Sequence, residues 1–175
     1  MAYRLYIQQD GSSIATDTLA TYGVACQEFP FKRFPETKEL PKRDWYDEDG
    51  EDVYMPADNL RMKAYDVEAK FIYSDSNSPA RGSNVTKEQH MRNNIESFIK
   101  FICGRNENGK SLLKIYDEYT QTGRRGVYVL SVDNDLFFYN DTSLDAIAVF
   151  KVKFRVSDPV YDVAKTVNEN VVTLT

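Results

Sequence analysis

The sharpest alternation in the chain runs from Ala146 to Pro159, AIAVFKVKFRVSDP. Even positions from Ala146 to Val156 are all apolar, while odd positions pass from Ile147 and Val149 to Lys151, Lys153 and Arg155. A strand turns successive side chains to opposite faces, so this is one long strand with a dry face and a cationic face. Asp158-Pro159 ends it, because proline donates nothing to a ladder and restricts the residue before it.

Weaker alternation predicts further strands. Tyr3 to Gln9 reads as a first strand stopped by Asp10-Gly11, and a second is expected around Leu19–Cys26. From Gln27 to Asn59 the pattern breaks down. Pro30, Pro35, Pro41 and Pro56 interrupt clusters of alternating charge, which predicts an extended surface arm. A short hairpin is expected within it, pairing Trp45–Tyr46 with Val53–Tyr54 around the turn Glu48-Asp49-Gly50. Leu60 to Tyr73 is a second long strand whose apolar parity switches between Ala64 and Tyr65, the trace of a bulge or of two strands meeting at a corner.

One segment changes period. Met91, Ile95, Phe98, Ile99 and Ile102 form a single stripe at helical spacing, Thr86 and Gln89 make a capping-box pair, and Gly104 supplies the stop. A helix over about 86–103 follows. Strands are then expected at Ser111–Tyr119, Gly126–Val132, Leu136–Asn140 and Ala146–Ser157, with hairpin connections at residues 122–126 and 133–135. Residues 163–175 are left between a swapped strand and a disordered tail. The sum is an α+β, β-dominated fold: two packed antiparallel sheets, as a split barrel or sandwich, flanked by one helix. Residues 1–162 form a single domain carrying the arm at 27–59, followed by the tail at 163–175.

Composition sharpens this in three places. Twelve Tyr and ten Phe favour sheet. A formal charge of −5 argues against broad attraction to nucleic acid. The two cysteines, Cys26 and Cys103, are too few and too far apart for a disulfide scaffold. Neither a signal-peptide pattern nor an apolar run of membrane-spanning length is present in the sequence, so no membrane partner is expected.

Candidate chemistry is sparse. The single histidine, His90, has no metal-ligating companions at suitable spacing and reads as a solvated helix residue. The acidic run around Gly50 suggests calcium, but aligning Gly50 with the EF-hand glycine puts Trp45 and Pro56 at ligand positions. GRNENG at 104–109 lacks the Lys-Ser/Thr of a phosphate loop and follows a helix, so it reads as a cap and turn. Arg124 and Arg125 sit between glycines, as a solvated hairpin tip or as a contact to a phosphate or a neighbour's carboxylate. Catalytic, cofactor-binding and metal-binding residues are all expected to be absent, and no cofactor is implied.

The order of elements resembles a known family. FPFKRFPETKELPKRDW (Phe29 to Trp45) is followed by YDEDGEDVYMP, LRMKAYDVEAKFIYSD, KEQHMRNNIESFIKFI, LLKIYDEY, GVYVLSV and the closing FKVKFRVSDPVYD. Across roughly Leu19 to Asp162 this is similar to the tail-tube-like ring proteins of long-tailed bacteriophages, in particular the distal tail (Dit-like) proteins. The resemblance implies two packed sheets with a flanking helix, assembled as a hexameric ring that continues the tail tube. It implies other tail and baseplate proteins as axial neighbours, DNA passing through without specific binding, and residence in a virion tail after synthesis in the host cytoplasm. Larger distal tail proteins carry a second, carbohydrate-binding-like domain; in these 175 residues that domain, and host-glycan contact through it, are not expected.

The leading expectation is therefore a non-enzymatic, self-assembling subunit. The alternative is a monomeric carbohydrate- or protein-binding β-sandwich that uses exposed aromatics as a platform. Interface residues expected from the sequence are Phe29, Phe31, Phe34, Trp45 and Tyr54 on the arm, Arg124 and Arg125, and the Lys151, Lys153 and Arg155 face, with core burial the competing role for each aromatic.

Overall fold

A computed structural model of the chain describes residues 2–44, 46, 49–133, 137–140, 146–169 and 171–175, with 137–140 and 146 as backbone. Its strands are β1 (Leu5–Gln9), β2 (Thr16–Asp17), β3 (Val24–Glu28), β4 (Lys42–Asp44), β5 (Glu51–Val53), β6 (Tyr65–Ser74), β7 (Leu113–Asp117), β8 (Thr122–Val132), β9 (Phe137–Asn140), β10 (Ala146–Val156), β11 (Lys165–Asn168) and β12 (Val171–Leu174). The helices are α1 (Thr18–Tyr22) and α2 (Lys87–Ile102). The β-dominated α+β class expected from the sequence holds.

One sheet dominates, in the order β2-β1-β7-β8-β10-β6-β3, with β9 joined to β10 beyond the end of β8. Every pairing in it is antiparallel. Its ends nearly meet: Tyr3, just before β1, and Cys26 of β3 exchange both backbone hydrogen bonds, at 2.8 and 2.9 Å. The expected two-sheet packing is thus realised as one curled sheet, a split barrel. Three bulges help it curl, since an extra residue in one strand bends it and increases twist. They fall at Arg125-Gly126 opposite Lys114, at Leu130 between β8 and β10, and at Gln27 between β3 and β6.

The apolar faces of β6 and β10 run in register, Phe71 opposite Phe150 and Val67 opposite Phe154. Onto them α2 lays Met91, Ile95, Phe98, Phe101 and Ile102. Phe98 meets Phe71 edge-on at 5.2 Å and Phe150 at 6.1 Å. The helix starts where the capping box predicts, with Gln89 N donating to Thr86 Oγ1 and Thr86 N to Gln89 Oε1.

Four local expectations are corrected. The strand expected from Leu19 begins only at Val24. The preceding residues form one helical turn, capped by the Asp17 carboxylate on Leu19 N and Ala20 N and closed by Gly23 in the left-handed region. The chain reversal expected at 122–126 lies earlier. Asp117 Oδ1 accepts from Tyr119 N and Thr120 N, an Asx turn that places the bend at 118–121 and lets β8 start at Thr122. The arm hairpin is displaced, pairing Lys42 with Val53 and Asp44 with Glu51. The parity switch after Ala64 is a boundary between segments: Met62 bridges Thr37 at the arm's root, and β6 begins at Tyr65.

Residues 163–175, left open by the sequence, fold back as the β11–β12 hairpin over the outer side of β1. Leu174 and Val163 bury against Tyr6 and Ala15, Leu174 N donates to Gln8 Oε1 at 2.7 Å, and Ala15 N donates to Val172 O. All five residues of β1 are buried as a result.

Candidate functional site

The outward face of β6 and β10 is a ladder of opposite charges. Register places Arg155 beside Asp66 and Lys153 beside Glu68. Arg155 Nη1 lies 3.0 Å and Lys153 Nζ 3.5 Å from the Asp66 carboxylate, while Lys151 Nζ reaches Glu68 at 2.7 Å. The Glu68 carboxylate raises the Lys151 ammonium pKa. The cations of this strand are therefore paired with carboxylates of its neighbour, three against two, a pairing visible only once register is known. Such exposed pairs contribute about 0–1 kcal/mol each. They set register and leave a flat polar face.

The arm aromatics divide. Phe29 is only 2% exposed and packs on Phe154 at 5.4 Å, and Phe31 sits against Phe29 at 4.5 Å, half-buried on the core. Phe29 therefore belongs to the core and is closed to a neighbouring subunit. Phe34 is 89% and Tyr54 71% exposed, and Trp45 lies outside the described residues. Every described residue from 41 to 55 is exposed.

Arg124 and Arg125 also part company, because residues 124 and 125 lie within β8 and point oppositely. Arg124 is 3% exposed; its guanidinium donates to the Asp162 carboxylate, Gly123 O and Lys32 O, and Nε has no hydrogen-bond partner. Arg125 stacks its guanidinium 3.6 Å from the Tyr161 ring centre and donates to Asp158 Oδ2. Neither is a hairpin tip. Arg124 ties the arm's root at Lys32 to the segment after β10, and at 3% exposure it meets the surface only in the floor of a cleft.

Beside Arg124 opens a cleft of about 360 Å³, bounded by Arg33 and Phe34 at the arm's root, Met62, Gln121, and Val160 with Asp162. A second groove, about 540 Å³, follows β8 past Val127, where β7 no longer pairs with it. Leu112 and Leu130 flank it, and Ile102 and Cys103 at the end of α2 close it. Burial raises the Cys103 thiol pKa, the opposite of an activated nucleophile.

His90 departs from the solvated role expected of it. It is half-buried, with Nε2 3.0 Å from Pro79 O, 3.3 Å from Ser78 Oγ and 3.1 Å from Asn94 Nδ2, and so fastens the loop after β6 to α2. Among the described residues no three His, Cys, Asp or Glu side chains gather where they could hold a metal ion, and no helix is long and apolar enough to cross a membrane.

No protein-family profile and no curated protein matches the chain. Among solved structures the chain is similar to the crystal structure of SPP1 Dit (gp 19.1), described as a paradigm of the hub adsorption apparatus in phages that infect Gram-positive bacteria. The likeness has 15% identity, a TM-score of 0.49, and covers 89% of this chain and 50% of that one. The chain thus spans about half the length of that protein.

Sequence reasoning missed Val160, Tyr161 and Met62, which the fold brings to the arm's root. Val160 and Tyr161 follow Pro159 outside any periodic segment, and Met62 sits at the parity switch, so pattern alone carried no signal for them.

Proposed function

We propose that this chain is a structural subunit of a phage tail that assembles with copies of itself into a ring. The arm carries the reading. A hairpin with three residues in each strand and every described residue from 41 to 55 exposed gains nothing from its own core. Two-stranded ribbons are marginal at best in water, so this one is built to lie on another surface. The phage-tail class comes from the order of sequence elements shared with distal tail and tail-tube proteins. In this reading six subunits enclose the DNA channel at the distal or baseplate end of a virion tail. Other tail proteins stack above and below, and a chain of net charge −5 lets phosphate slide past. No catalysis is assigned to it.

Mass photometry across a concentration series, with negative-stain images of the same samples, tests the proposal. The expected result is a species near six times 20.2 kDa that images as a ring. A 20.2 kDa species at every concentration overturns it.

A further inference from the structure

The arm's tip and the cleft at the arm's root are chemically matched. From Asp44 to Asp52 the sequence carries six carboxylates in nine residues and no cation. Among the described tip residues, Tyr46 is fully exposed, and Asp44 and Asp49 are exposed with no ion pair to another described residue. The cleft has the opposite character. Phe34 and Val160, 64% exposed, give it apolar walls, and Arg33 stands exposed at its edge without an ion pair among the described residues. Arg124 lies beneath it, nine-tenths buried, with Nε unpartnered. Two arginines against the single Asp162 leave the lining with one net positive charge. The cleft is an order of magnitude larger than the ~30 Å³ a water molecule occupies, so it admits a side chain.

No described residue from 36 to 61 lines this cleft, so the described part of the tip, Tyr46 included, does not fill it within its own chain. Because each copy offers one tip and one cleft, on different parts of its surface, the contact is head-to-tail. Such a contact propagates around a closed ring.

We propose that the acidic, aromatic tip of one subunit's arm docks into the Arg33–Phe34–Val160 cleft of the next copy. An aromatic ring enters between the apolar walls and the tip carboxylates meet Arg33. This deepens the ring proposal and rests on it.

Two charge-reversed proteins test the docking, Arg33→Glu at the cleft and Asp44→Lys/Asp47→Lys/Glu48→Lys/Asp49→Lys at the tip, where four lysines then outnumber the remaining Glu51 and Asp52. Arg33, Asp44 and Asp49 are exposed, and circular dichroism of both variants should match the unaltered chain. Each variant alone places like charges together and should raise the concentration for half-assembly by about tenfold or more. An equimolar mixture should recover wild-type assembly, because alternating copies then pair a reversed cleft with a reversed tip and a natural cleft with a natural tip. Variants that assemble like wild type, or a mixture that recovers nothing, overturn the docking while an intact wild-type ring leaves the ring proposal standing. A wild-type chain that never self-associates removes the ring proposal itself.

Discussion

Cys26 shows how one buried side chain ties structure to pH. Its backbone forms half of the seam that closes the barrel, and its thiol is fully buried with Sγ 3.8 Å from Lys70 O. Burial pushes the thiol up from 9.0 to about 12. The folded chain therefore keeps this proton where the unfolded chain releases it, and stability falls as pH rises from 9 towards 12. A single group lowers it by up to about 1.4 kcal/mol per pH unit in that window. Burial also raises Tyr3, Tyr22, Tyr65 and Tyr73, whose contribution starts near pH 10. Urea denaturation from pH 8 to 10 should show declining stability, and Cys26→Ala should flatten a large share of the decline above pH 9. An unchanged slope would show that another group sets it.

At the scale of elements, β8 is where one sheet becomes a barrel. Gly126 occupies φ +67° at the bulge, and a Cβ there would stand 2.7 Å from Ser157 Oγ and 3.2 Å from Asp158 Cβ. Gly126→Ala should cost about 1–3 kcal/mol in chemical denaturation. Gly50→Ala, at an open hairpin turn with nothing among the described residues near the new methyl, should cost about 1 kcal/mol from backbone conformation alone. Equal losses at both sites would rule out the close approach to Ser157 as the cause. Elements written in strong periodicity were legible from the sequence: α2 with its capping box, and β10 with its alternating faces. Features that depend on one side chain turning back on the backbone were not. Asp117 moved a turn, Asp17 made a helical turn from an expected strand, and both look like ordinary acidic residues in a polar stretch. The candidate site was half legible for the same reason. Phe29 and Phe34 are indistinguishable by residue type, and only the fold sends one inward and one outward. Arg124 read as a loop residue until β8 extended through it.

For the molecule as a whole, the β11–β12 hairpin decides whether β1 has one dry face or two. Leu174 is 1% exposed against Tyr6 and Val163. Leu174→Ala should cost about 2–5 kcal/mol of unfolding free energy, the range for truncating a buried leucine. Val167→Ala, on the solvent side of the same hairpin, should stay within about 0.5 kcal/mol. If both prove neutral by thermal and urea unfolding, the hairpin is an ornament on the barrel. The order of pairing along β1 also bears on how the chain is made. Leu5 and Ile7 face Asp117 and Ile115, so β1 leaves the ribosome more than a hundred residues ahead of the strand it pairs with. At roughly 5–20 residues per second, an apolar edge waits on the order of 5–20 s during synthesis for its match. A chaperone able to shield LYIQQ over that interval should raise the soluble yield of the newborn protein.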